Sequence, residues 1–179
     1  MKRSAFTFIE IMVVIALIGV IATVLLPRMM RRPVAVEWSV ILDNLNHIIS
    51  FTRQEAIANQ RLHRIVFNAR FGSGDDVITI EDEHDDPEKP GRKIFRPVSS
   101  YYFPTQYDFA PSVKIDKVLL NKRTIINEKG MACCYVIPDG LVQEITVHLV
   151  RKINNVETDA SFVMNPFWGR FELHDGLVK

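Results

Sequence analysis

The apolar positions fall into three regimes along the chain. Residues 6–26 read FTFIEIMVVIALIGVIATVLL, an almost unbroken apolar run. About 20 such residues, wound as a helix, are long enough to cross a bilayer core of roughly 30 Å. From Val34 the pattern changes. Trp38, Ile41, Leu42, Leu45, Ile48, Ile49, Thr52 and Ala56 recur at spacings of three and four, one face of an amphipathic helix. Glu37, Asp43, Asn44, Asn46, Arg53 and Gln54 take the other positions. The spacing predicts a helix over 34–61, the outer half of one long helix kinked by Pro27 and Pro33. From Leu62 onward short runs of alternating polarity predict strands at 63–70, 77–83, 93–103, 113–121, 132–137, 142–153 and 160–173. Residues 72–75 (Gly-Ser-Gly-Asp) join the first two as a hairpin, and Pro138-Asp139-Gly140 makes a later turn. A helix burying its stripe against an antiparallel sheet is an α+β domain.

Charge changes the reading of the N-terminal run. It holds one charged residue, Glu10, with Lys2 and Arg3 before it and Arg28, Arg31 and Arg32 after it. The run is too long for a cleaved secretory signal, and Pro27-Arg28 stands where small residues would precede such a cut. It reads as an anchor. Both flanks are basic, so the positive-inside count alone leaves the orientation open. A carboxylate at the centre of a membrane helix costs on the order of 2.5–3.5 kcal/mol, and less near an end. Glu10 therefore either sits at headgroup level or is neutralised by a partner's positive charge after assembly.

Lys2-Arg3-Ser4-Ala5 ahead of Phe6-Thr7-Phe8-Ile9-Glu10, with the apolar run and Pro27 behind them, resembles a type IV prepilin leader and its processing junction. The resemblance implies a cytoplasmic leader over 1–5 and cleavage between Ala5 and Phe6 by a prepilin peptidase. It also implies N-methylation of Phe6, and pairing of Glu10 with the N-terminal amine of a neighbouring subunit. The family usually places Gly before the cut; Ala5 is also small. Physical chemistry agrees with the pairing. An ammonium beside a carboxylate satisfies both charges in a low-dielectric setting, where either alone is expensive.

The resemblance extends downstream. Arg53-Gln54-Glu55-Ala56-Ile57-Ala58-Asn59-Gln60-Arg61, Val136-Ile137-Pro138-Asp139-Gly140 and Asn165-Pro166-Phe167-Trp168-Gly169-Arg170-Phe171 are similar to the helix end and later turns of the GspH/FimT group of minor pseudopilins. That implies a type IV pilin-like fold in three parts: leader 1–5, transmembrane and assembly helix 6–27, and periplasmic globular domain 28–179. It further implies a single-pass inner-membrane protein with a cytoplasmic N-terminus. The role implied is that of a structural subunit near the tip of a type II secretion pseudopilus. Its partners would be other major and minor pseudopilins, the prepilin peptidase and the inner-membrane secretion platform. The alternative is a FimT-like minor pilin that binds DNA during uptake. Relatives of that kind use a basic Gly-Arg-x-Arg element, and here the stretch is Gly169-Arg170-Phe171-Glu172. Lys114, Lys117, Lys122 and Arg123 are a second possible basic face.

Composition removes several other classes. The 22 Lys+Arg against 21 Asp+Glu leave a net charge of +1, which lacks the basic excess of a typical nucleic-acid binder. No nucleophile–base or paired-carboxylate spacing points to an enzyme, and no cofactor or metal site is expected. The acidic stretch 81–88 lacks the spaced ligands and mid-loop Gly of an EF-hand. It reads as a solvated segment near Lys89, Arg92 and Lys93. The five histidines show no metal-pair spacing. Cys133 and Cys134 are adjacent on a predicted strand, so they point to opposite faces, one as a small core residue and one as an outward thiol.

Overall fold

In the computed structural model, residues 8–30, 34–69, 76–120, 123–126, 130–153 and 156–176 are described. The chain divides into two compact units, residues 1–37 and 38–179. The first contains helix α1, Phe8–Met30. Pro27 lies within it, so the helix does not stop at the expected boundary. The predicted kink at Pro33 falls outside the described residues.

Helix α2, Val34–Asn59, leads into the second unit. Seven of its eight predicted stripe residues are buried and Leu42 is half-buried. Thr52 belongs on that stripe because its hydroxyl donates to the Ile48 carbonyl at 2.7 Å, so its own polar atom is satisfied in the core. The helix ends at Gln60, whose φ of 51° is left-handed. A residue with a Cβ pays about 1–2 kcal/mol there. Part of that is offset by its own side chain, whose Nε2 donates to the Ile57 carbonyl at 2.8 Å.

Ten strands follow among the described residues: β1 (His63–Asn68), β2 (Val77–Asp85), β3 (Lys93–Pro97), β4 (Gln106–Asp108), β5 (Val113–Leu120), β6 (Arg123–Thr124), β7 (Met131–Val136), β8 (Ile145–Ile153), β9 (Val156–Asn165) and β10 (Arg170–Asp175). They form two five-stranded antiparallel sheets rather than one. The first runs β3-β2-β1-β7 with β4 also on β2, and the second runs β10-β9-β8-β5-β6. The β1–β2 pairing is as expected, although the turn at 72–75 lies outside the described residues.

The departures from expectation have local causes. The run 93–103 stops at Pro97, which has no N–H to give a ladder. The run 160–173 breaks at 166–169 into the β9–β10 hairpin. The run 142–153 begins only at Ile145, with Val142 making one isolated bridge to Val136. A register shift in β5 between Ile115 and Lys117 places Asp116 and Lys117 outward in succession.

One core joins α2 to both sheets. Ile65, Phe67, Ile78 and Ile80 of the first sheet cluster with Ile145, Val147, Leu149 and Phe162 of the second and with the helix stripe. Trp38 meets Phe162 edge-to-face, with centroids 6.0 Å apart. Phe51 stacks on Phe103 at 4.4 Å. Asp76 links the sheets: its Oδ2 accepts the Ile115 N–H at 2.6 Å, and its carbonyl accepts from Phe109.

Candidate functional site

Of the expected processing and assembly residues, Ala5 and Phe6 lie outside the described residues, and Glu10 lies in the first turn of α1. Phe8, Ile9, Met12, Val13, Ile15 and Ile18 are exposed around it. Successive helix residues step by about 100°, so these six, with Val14 and Leu17, which are exposed too, face every side of the helix. A helix apolar on all sides requires apolar cover, and a surface this apolar is an interaction surface. Glu10 is the one described side chain in α1 that carries charge up to Gly19. Among the described residues no helix is long and apolar enough to cross a membrane. In the sequence the apolar run continues past Gly19 to Leu26.

A second constellation lies at the C-terminal end of α2, where the fold gathers the three downstream segments singled out in the sequence. Arg53 Nε donates to the Gly140 carbonyl at 2.8 Å, and its Nη1 to the Trp168 carbonyl at 3.3 Å. Gly169, with φ 59°, sits so near that guanidinium that a Cβ there would overlap it. Two turns earlier on the helix, Asn46 pairs with the free edge of β10. Its Oδ1 accepts the Phe171 N–H at 2.7 Å and its Nδ2 donates to the Phe171 carbonyl at 3.3 Å. Asn46 and Arg53 had the positions of a solvent face by periodicity. The structure shows both reaching sideways to the strand and turns beside the helix. The Gly residues in the two turns were the sequence signal for that close approach.

The acidic stretch is charge-paired. Arg64 holds Glu81 at 2.6 Å and stacks over the Phe95 ring. Asp82 takes His84 at 2.8 Å and Arg61 at 3.7 Å. Lys93 binds Asp85 at 2.7 Å, and that hydrogen bond holds the carboxyl below its ordinary range. Among the described residues no three His, Cys, Asp or Glu side chains are placed to hold a metal ion. Lys114 and Lys117 share their exposed strand segment with Asp116, and Lys122 lies outside the described residues. Arg170 is exposed, with Glu172 on the same face of β10.

The cysteines divide as the strand pleat requires. Cys134 is buried, and burial pushes its thiol up to about 12. Cys133 is half-exposed on the other face of β7, beside Arg64, and burial raises its thiol too. His63 and His148 are core residues. His148 Nδ1 lies 2.8 Å from the Ser161 hydroxyl, and burial lowers its imidazole pKa.

Residues 1–26 match the family described as the prokaryotic N-terminal methylation motif. Sequence comparison with curated proteins finds no match. Among solved structures, the chain is similar to the minor pseudopilin EpsH from the type 2 secretion system of Vibrio cholerae, with a TM-score of 0.50 and 11% sequence identity. The match covers 76% of this chain and 95% of that one. At that identity the likeness is one of fold. The chain thus carries an N-terminal methylation motif over residues 1–26 and, behind it, shares the pilin-like fold of that minor pseudopilin.

Proposed function

We propose that the chain is a minor pseudopilin of a type II secretion system, a structural subunit near the tip of the periplasmic pseudopilus that drives export of folded proteins across the outer membrane. The observation that carries this is the methylation motif running into α1, whose described apolar side chains surround the single charge of Glu10. The pseudopilin fold behind it supports the same reading. In it, residues 1–5 are a cytoplasmic leader, a peptidase cuts between Ala5 and Phe6, and Phe6 is methylated. The helix from Phe6 anchors the subunit in the inner membrane, and the globular unit lies in the periplasm. The new amine of a neighbouring subunit pairs with Glu10, which favours a defined stagger between packed helices.

Little favours DNA uptake instead. Phosphate binding needs clustered cations, whereas Asp116 lies between Lys114 and Lys117, and Glu172 shares the face of Arg170.

Two measurements test the proposal. Protein from membranes with an active prepilin peptidase should show an intact mass lacking the first five residues; retention of Met1 to Ala5 would reject the processing site. Glu10→Ala should leave membrane fractionation unchanged, because removing a charge eases insertion. It should abolish crosslinking to other pseudopilins, since removing one partner of a buried ion pair costs roughly 3–5 kcal/mol. Wild-type crosslinking and secretion in that variant would reject the pairing.

A further inference from the structure

The end of the globular unit around Arg53 carries a feature that the α1 assembly site does not use. Five apolar side chains stand open there: Phe167 is 92% exposed, Trp168 75%, Leu141 61%, Ile57 48% and Ile137 37%. They come from three separate stretches of chain: the end of α2, the turn after β7 and the β9–β10 turn. Arg53 ties the three together through the carbonyls of Gly140 and Trp168. Ile57 lies directly beneath Gly140, where an added Cβ would come within 2.8 Å of its Cδ1. The five therefore form one patch rather than scattered surface residues.

The aromatic pair is held in place before any partner arrives. Asn165 Oδ1 accepts the N–H groups of Phe167 at 3.1 Å and Trp168 at 3.4 Å. The Gly169 N–H returns to the Asn165 carbonyl at 2.8 Å, closing the turn. A fixed backbone spares a binder the ordering cost that a loose loop would incur. Each buried aromatic contributes on the order of 150–250 Å². At their exposures, with the aliphatics added, the patch offers roughly 500 Å². That is more than half of the ~800 Å² per partner in a standard interface. Trp and Arg at the centre of a patch are also the residue types that dominate binding energy.

Charge selects the occupant. Arg53 lies within the patch and Arg170 at its edge, and both make no ion pair among the described residues. On the acidic side, Glu172 is turned to Asn165 Nδ2 at 3.3 Å, and Asp139 stands in the turn between Ile137 and Leu141. A second copy would bring like guanidiniums together as the apolar faces met, which is unfavourable. Bases could stack on Phe167 and Trp168, but three of the five side chains are aliphatic and offer no such platform. We propose that this end of the globular unit docks a different protein subunit, whose surface presents an apolar pocket rimmed by carboxylates, with Phe167 and Trp168 as the anchors.

The test uses the full-length protein in membranes of its own bacterium, with Glu10 intact, so its result is independent of the pairing at α1. A photo-crosslinking residue replaces Phe167; a second variant carries it at Tyr102, an equally open aromatic on another segment, 95% exposed. Both sites are solvent-facing, so neither replacement removes core packing. Expected from position 167 is one adduct with a different polypeptide, mapped by mass spectrometry to a peptide holding Asp or Glu beside apolar residues. Arg170→Glu should lower its yield at least tenfold with the thermal transition unchanged. An adduct with a second copy, a nuclease-sensitive adduct, an equal yield from position 102, an unchanged yield in Arg170→Glu, or no adduct would each overturn the proposal.

Discussion

Asn46→Ala isolates the contact by which α2 closes the second sheet. Phe171 is 4% exposed, and its N–H and C=O point to the free edge of β10, where only the Asn46 amide meets them in the described contacts. The 2.7 Å bond is a full hydrogen bond and the 3.3 Å bond a weak one. Losing them, and leaving a buried N–H unpaired, costs about 2–3 kcal/mol. Alanine is the better helix former by about 0.6 kcal/mol, which offsets part of this. The net loss is about 2 kcal/mol, or about 6 °C in Tm for a domain of this size. Urea unfolding of the fragment 34–179 should show a lower midpoint with an unchanged slope. Hydrogen exchange at the Phe171 amide should accelerate. Asn46→Asp keeps the acceptor of the short bond but loses the donor, so it should fall between wild type and alanine and retain amide protection. Stability within 0.5 kcal/mol of wild type for Asn46→Ala, with the Phe171 amide still protected, would refute the edge-capping role.

Two further outcomes follow from the buried titratable groups. At pH 8 iodoacetamide should leave Cys134 unmodified in the folded fragment, because its thiol is buried and pushed up to about 12; any slow labelling should start at half-exposed Cys133, and full modification of both without unfolding would contradict the packing of β7. Burial lowers the folded-state pKa of His148, so the unfolded chain takes up the proton first as pH falls: the stabilising contribution is complete above the ordinary value of about 6.5 and is lost as pH falls toward the folded value. His148→Gln should therefore lose less stability than wild type between pH 7.5 and pH 5.5 in urea titrations, and equal losses would count against this account.

How much was legible in the sequence depended on whether the signal was local. The stripe of α2 was readable residue by residue, since helix periodicity alone decides which side chains share a face. Seven of its eight members are core residues, and even Thr52 is there because a helix offers its hydroxyl the carbonyl four residues back. The opposite faces of Cys133 and Cys134 followed in the same way from the strand pleat. The N-terminal methylation motif was legible because it is a contiguous string, and residues 1–26 match it as such.

Partner choice was not local. Alternating polarity marks a strand as half-buried but does not say which strand it joins, so one expected sheet became two. Asn46 and Arg53 looked like solvent-face residues because periodicity counts only the angle around the helix. It cannot register that an edge strand and two glycine turns, more than 80 residues away in the chain, come to lie beside that face. The acidic stretch was likewise ambiguous as a string, and became a set of ion pairs once Arg61, Arg64 and Lys93 were brought alongside it. The sequence by itself determined the helix faces, the strand pleats and the N-terminal methylation motif, each set by neighbours within a few residues. The tertiary structure decided the sheet pairing, the closing contacts of Asn46 and Arg53, and the gathering of Ile57, Leu141, Phe167 and Trp168 into one surface, because those depend on distances between chain segments that no local pattern contains.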